Sequence, residues 1–445
     1  MPGESQLREF FTYLRFPSVS ADPARVAEMA ACAAWLRAKL AALGFDAALH
    51  PTPGPPVVLA RRASPRPGAP TLLIYGHYDV QPADPPTLWA SPPFEPEVRD
   101  GLVYARGATD NKGQTFAHIL GTEAWLAAHG DLPVNLIYLL DGEEEIGSPH
   151  FGAVLRARAA DLACDAILVS DTSMVAPGQP AVACGLRGIV CVDLRVSGPA
   201  TDLHSGAFGG AVANPAAELA RLLAALHDEA GRVAIPGFYD QVAPIDPAEA
   251  AGWRTLAFDE GEVLRATGSP ALAGEAGFTT LERIWGRPTA EVNGITAGYQ
   301  GPGSKTIIPA HASAKLSFRL VPHQSPGDIA RKVQAFFAAQ AAPGVAVATT
   351  YDHGGDPFYA DPNTPFGRLV REALRETFGR EAVLVREGLS IPVVSLLRQE
   401  LGRDAVLVGL GLPDCSAHGP NETFPLENLD RGIALHLAIL QRLAG

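Results

Sequence analysis

Cysteine is scarce in this chain. Five occur in 445 residues, at Cys32, Cys164, Cys184, Cys191 and Cys415, and no two form a Cys-x-x-Cys pair. That excludes a disulfide-stapled scaffold and a thiolate zinc ribbon, and it fits free thiols in a reducing compartment. Nowhere is the chain continuously apolar over the roughly 18 residues a membrane-spanning helix needs. The opening stretch, MPGESQLREFFTYLRFPSVS, lacks a basic segment followed by an apolar one. The expectation is a soluble, cytoplasmic protein with no membrane partner. Basic residues are also outnumbered, 35 Lys and Arg against 48 Asp and Glu, for a formal net charge of -13. An acidic surface is a poor match for a phosphate backbone, so no nucleic-acid partner is expected, while cations are favoured. Repeats and low-complexity tracts are absent. What remains is a globular composition, 47% hydrophobic and 19% charged, on a chain long enough for more than one domain.

Periodicity divides the chain into three stretches. Residues 24–43 and 113–129 read as helices, the second stopping at Gly130. Between and after them lie short apolar runs at 55–60, 71–75, 134–140 and 166–170. Such runs fit strands covered on both faces in a parallel sheet. From about residue 189 the pattern changes. Residues 189–197 alternate, as a strand covered on one face does, and further strands are expected near 292–298, 311–321 and 344–351. Helices are expected at 214–228 and 326–341, and residues 231–290 read as irregular. The tail returns to mixed character: helix 364–378, strand 404–409, helix 426–443. The expected fold class is α/β. A catalytic domain with a largely parallel sheet flanked by helices (1–188 and 354–445) is interrupted by an antiparallel sheet with helices on one face (189–353).

Chemistry collects at the strand ends. TLLIYG runs into His77-Tyr78-Asp79, VNLIYLL into Asp141-Gly142-Glu143-Glu144-Glu145, and AILVS into Asp171, while Gly107–Gly113 carries Asp110 just before a helix. Ligands of open α/β sheets sit beyond the carboxyl ends of the strands. Parallel neighbours would therefore gather His77, Asp110, Glu144, Glu145 and Asp171 in one crevice. One imidazole among carboxylates is a hard-to-borderline donor set, suited to Zn, Mn or Co. Three carboxylates against two divalent ions leave about one positive charge, which a hydroxide balances. His418 is the best remaining neutral donor. Taken singly, each residue has a plainer reading: an acidic run is usually a solvated loop, Asp171 a cap and Asp79 a turn residue. Cys415 reads as a buried inert thiol more readily than as a ligand. The remaining histidines, His50, His118, His129, His227 and His436, have no motif around them.

GHYDVQP (76–82), GATDNKGQ (107–114), DGEEEIGSP (141–149) and SDTSM (170–174) together resemble a known family, as do DLHSG (202–206), SFRLVP (317–322) and SAHGPNE (416–422). It is the family of co-catalytic metallopeptidases that includes carnosine dipeptidase, aminoacylase, succinyl-diaminopimelate desuccinylase and glutamate carboxypeptidase. The form is closest to the cytosolic dipeptidase branch, and the resemblance covers nearly the whole chain in order. It implies that His77 and Asp171 hold one metal, that Glu145 and His418 hold the other, and that Asp110 bridges them. It implies Glu144 as general base and Glu143 as an extra acid. Asp79 would orient the His77 ring. His204 would stabilise the oxyanion, reaching across from a partner subunit, and Arg319 would take the substrate carboxylate. Thr306 and Ser390 would complete the substrate contacts. Leu389 departs from the family's two glycines before Ser-Ile-Pro and puts substrate choice in doubt. The Asp110–Asn111 peptide would be cis. The inserted domain would be a ferredoxin-like lid and dimerisation domain.

The function implied is hydrolysis of dipeptides or short peptides with a free C-terminal carboxylate. Water held by two Zn or Mn ions, with Co also tolerated, would be the nucleophile. An N-acyl-amino-acid deacylase or a carboxypeptidase on the same scaffold is the alternative, and a noncatalytic metal-binding protein is the alternative of another class. A phosphoesterase fits less well, because no basic cluster accompanies the acids.

Overall fold

The computed structural model describes residues 3–256, 258–388 and 392–445. Leu389 and Ser390 therefore lie outside the described residues. The chain separates into two units: Met1–Cys184, Ala360–Val385 and Ile391–Gly445 form one, Gly185–Tyr359 and Arg386–Ser390 the other.

In the first unit a mixed sheet runs in the order Asp46–His50, Val57–Arg62, Asn135–Asp141, Thr71–His77, Ala166–Ser173, Ala405–Gly411, Ala181–Leu186. The middle four strands are mutually parallel. Their apolar runs are buried almost throughout, as strands covered on both faces must be. Val57–Arg62 corrects one expectation. It is equally apolar yet lies antiparallel to Asn135–Asp141, in a hairpin with Asp46–His50. Burial on both faces selects apolar side chains whatever the strand direction. The helix Lys112–His129 packs against the final helix Leu426–Ala444. It ends at Gly130, which takes φ 81°, a value glycine adopts without steric cost, and donates its N–H to the Leu126 carbonyl.

The second unit holds an antiparallel sheet in the order Thr289–Ala297, His311–Leu320, Gly188–Ser197, Ala346–Gly355. Helices Pro215–Ala224 and Pro326–Ala339 join the strands in β-α-β-β-α-β order, so the unit is ferredoxin-like. Strand 188–197 alternates as expected: Val190, Val192, Leu194 and Val196 point into a core with Leu219, Leu222, Val333 and Phe337 from the helices.

Residues 231–290 are not simply irregular. They contain the short helices Pro247–Arg254, Glu260–Thr267 and Thr280–Gly286. The last two start at side-chain caps: Asp259 accepts from Gly261, and Thr279 with Glu282 forms a reciprocal capping box. Local capping, worth about 1 kcal/mol each, marks these helices where long amphipathic periodicity is missing.

Candidate metal centre

Three of the parallel strands end at the centre. His77 is the last residue of its strand, Asp171 lies near the end of the next, and Asp141 closes the strand on the other side. Asp110 comes from the loop before helix Lys112–His129. That helix can approach only because residue 76 is glycine: a Cβ there would meet Thr115 Oγ1 at 2.1 Å and Asn111 Oδ1 at 2.9 Å. Asn111 fills the space. Its Oδ1 accepts the His77 N–H at 3.3 Å, and its Nδ2 donates to the Ser170 carbonyl at 2.6 Å and to Asp171 Oδ1 at 2.7 Å. The Asp110–Asn111 peptide is cis.

Asp110 stands in the middle. His77 Nε2 lies 3.1 Å from its Oδ1 and 3.6 Å from Asp171 Oδ1. On the other side, His418 Nε2 lies 2.9 Å from Asp110 Oδ2 and 3.1 Å from Glu145 Oε2. Each carboxylate oxygen of Asp110 thus faces a different imidazole, and each imidazole has a second carboxylate beside it. Donor atoms of His77, Asp110 and Glu145 lie within 4.8 Å of one another. His77, Asp171 and Glu145 are buried or nearly so, whereas the His418 side chain is 57% exposed, so that side of the cluster opens to solvent.

The electrostatics favour a cation here. Burial pushes the carboxyls of Glu144, Glu145 and Asp171 up, and neighbouring carboxylates add to the push. Asp110 is the exception. Burial raises it too, but hydrogen bonds from His418 and His77 outweigh that and hold it low. Acids crowded against their own repulsion, with one nitrogen donor on each side, are a donor set that divalent zinc, manganese or cobalt matches.

Asp79 is buried, and its role is broader than orienting an imidazole. His77 Nδ1 lies 3.1 Å from the Asp79 carbonyl and 3.3 Å from Oδ1. Both carboxylate oxygens also accept backbone N–H groups, Glu144 at 3.2 Å and Glu145 at 3.0 Å. One side chain therefore sets both the His77 ring and the Glu144-Glu145 turn. Gln81 donates to Glu145 Oε2 at 2.9 Å. Glu143 turns away from the cluster to His150 Nδ1 at 2.9 Å. Cys415 is buried, and none of the five cysteines is in a disulfide.

The first unit's candidate residues are thus together. His204, Thr306 and Arg319 belong to the second unit. His204 pairs with Ile307 across a two-residue ladder, and Ser205 donates its N–H to the Thr306 carbonyl at 3.0 Å, so those two are neighbours. His204 Nδ1 accepts the Gly206 N–H at 3.0 Å, which fixes the ring at a turn. Arg319 lies on strand His311–Leu320 beside Arg187. Burial and the Arg319 charge hold the Arg187 guanidinium down to about 10. Arg187 was not singled out from sequence; an isolated arginine carries no motif.

The profile described as Peptidase family M20/M25/M40 matches residues 73–442. The chain belongs to that family. Its fold and its assignment as a hydrolytic enzyme follow from that membership. The chain is 32% identical over 458 residues to a Cys-Gly metallodipeptidase of Schizosaccharomyces pombe, covering 98% of this chain and 96% of the relative. It is 32% identical over 399 residues to the Beta-Ala-His dipeptidase of Homo sapiens, with 88% and 78% covered. Among solved structures, an M20 family metallo-carboxypeptidase from Sulfolobus solfataricus superposes with a TM-score of 0.84 at 30% identity, over 99% of this chain and 100% of the other. Among the described residues, no helix of this M20 peptidase is long and apolar enough to cross a membrane.

Proposed function

We propose that this M20 peptidase hydrolyses the peptide bond of dipeptides or short peptides bearing a free C-terminal carboxylate, using two divalent ions per chain. The observation that carries the reading is the division of Asp110 between two imidazole–carboxylate pairs. His77 and Asp171 would hold one ion, His418 and Glu145 the other, with Asp110 shared. Zinc or manganese suits these donors, and cobalt would be tolerated. When bound, the pair supplies Lewis acidity that polarises the scissile carbonyl and makes water acidic at neutral pH.

The chain's own groups do the rest. Glu144, half-buried beside the cluster with its carboxyl held above the ordinary range, takes a proton from the attacking water and returns it to the leaving nitrogen. Asp79 keeps Glu144 and Glu145 in place through their backbone N–H groups. His204 is assigned to the developing oxyanion, Arg319 with Thr306 and Ser390 to the substrate carboxylate and backbone. Arg187 adds positive charge next to Arg319, which favours an anionic substrate end. His204 is taken to serve a partner subunit's substrate, in a homodimer built through the ferredoxin-like unit. A cytoplasmic location fits five cysteines that form no disulfide.

The two curated relatives are named as dipeptidases, and the solved structure as a carboxypeptidase. The test is a panel of dipeptides, longer peptides and N-acetyl amino acids, assayed after chelation and separate reloading with zinc, manganese and cobalt. Dipeptide cleavage that returns with metal is expected. Preference for N-acetyl amino acids would move the reading to a deacylase, and inertness with every metal would move it to a binding protein.

A further inference from the structure

Glu422 is fully buried and four residues beyond His418. Its carboxylate is saturated. Oε2 accepts from Arg106 Nη1 and from the Gly107 N–H, both at 2.8 Å. Oε1 accepts the N–H groups of Thr109 at 2.8 Å and Asp110 at 3.0 Å. A single acid therefore shapes the whole turn that presents Asp110. Within that turn Gly107 takes φ 82°, a conformation that side-chain-bearing residues rarely adopt.

Arg106 is equally buried and extends the link. Its Nη2 donates to the carbonyls of His418 at 3.1 Å and Gly419 at 3.0 Å, and to Pro82 at 3.2 Å. Those carbonyls belong to an unfavourable stretch of chain: Ser416, His418 and Asn421 all have positive φ, with His418 at 61°. A left-handed conformation is strained for a non-glycine residue and persists only where its surroundings hold it. Arg106 supplies that hold. Asp110 and His418 are 308 positions apart by number (418 − 110), yet they reach hydrogen-bond distance through this one ion pair.

We propose that Glu422 and Arg106 are positioning residues of the metal centre, fixing the backbones of Asp110 and His418 relative to each other so that a cation fits between them. The pair touches neither substrate nor reacting atoms. The inference rests on the two-metal reading above.

The test is Glu422→Gln in the full chain, titrated with Co²⁺ alone. A carboxamide keeps the volume but turns one acceptor into a donor, which would face either Arg106 and the Gly107 N–H or the N–H groups of Thr109 and Asp110. The expected result is a folded variant by near-ultraviolet circular dichroism, with one Co²⁺ equivalent bound about 10–100-fold more weakly. Its visible ligand-field bands would change, and the turnover number would fall with KM little altered. Arg106→Lys keeps the charge but cannot reach the carboxylate and both carbonyls at once, and it should show the same spectral change. A folded Glu422→Gln protein with wild-type titration and spectrum would overturn the proposal. So would failure of both variants to fold, since the pair would then serve general stability. If wild-type protein itself takes up no Co²⁺, the metal reading falls and this inference with it; a normal wild-type titration beside an unchanged variant removes this inference alone.

Discussion

The proposed sharing of Asp110 between two cations needs its oxygens to face different imidazoles, as they do, and that depends on residues outside the proposed ligand set. Glu422 holds its N–H, Asn111 spaces His77 from Asp171, and Gly76 leaves room for Asn111. Gly76→Ala should lower stability by about 1–3 kcal/mol, the usual cost of overpacking, read as a shifted urea midpoint. An unshifted midpoint would mean that the helix start yields freely. Glu144 is the opposite case, since its carboxylate is assigned to chemistry and not to support. Glu144→Ala should retain metal by titration and lose about 10²–10⁴-fold in turnover. Activity within tenfold of wild type would remove Glu144 as the base.

At the scale of elements, helices Lys112–His129 and Leu426–Ala444 meet through a buried polar chain. His118 Nε2 lies 2.7 Å from Ser170 Oγ, His118 and His436 approach Nδ1 to Nδ1 at 3.2 Å, and His436 Nε2 lies 2.9 Å from Thr122 Oγ1. Burial lowers His118 to about 4, and burial, aided by its neighbour, also pushes His436 well below the usual histidine range. Both rings are neutral in the native state, and below about pH 6.5 the unfolded chain takes up protons that the folded chain refuses. Stability contributed by this pair is therefore present above pH 6.5 and lost as pH falls toward 4. For His118 the loss is on the order of 3 kcal/mol. Denaturant midpoints measured from pH 7 to 4 should fall less steeply for His436→Gln than for wild type; parallel profiles would mean the pair titrates normally.

These histidines also mark where sequence reading stopped. Nothing local distinguishes His118 or His436 from a surface histidine, and only the packing of two helices gives them partners. The same holds for Arg106, an unremarked arginine until Glu422 is placed beside it. That residues 77, 110, 145 and 171 share one crevice was legible because parallel strands deliver their carboxyl ends to one edge; the register of the three glutamates and the role expected of His418 came from the family resemblance. Alternation in 189–197 made an antiparallel sheet with helices on one face legible; its ferredoxin-like form came from the family resemblance. The helices of 247–286 were not legible, since short capped turns leave no long period.

For the molecule as a whole, metal held by the clustered acids as proposed would be part of the fold. Chelation should lower the unfolding midpoint, and readdition of zinc or manganese should restore it, by roughly 3 kcal/mol at a hundredfold excess over Kd. An unchanged midpoint would place the ions elsewhere or nowhere. The homodimer reading has a separate check. If His204 serves the partner's substrate, inactive Glu144→Ala and His204→Ala chains, unfolded and refolded together, should recover about a quarter of wild-type activity, one working site in each mixed dimer. No recovery would confine His204 to its own chain.

The most direct measurement is an anomalous-difference map from zinc-loaded crystals at the zinc edge. Two peaks per chain are expected, one bounded by His77, Asp110 and Asp171, the other by His418, Asp110 and Glu145. A single peak, or a pair that leaves Asp110 untouched, would contradict a centre built around that one shared carboxylate.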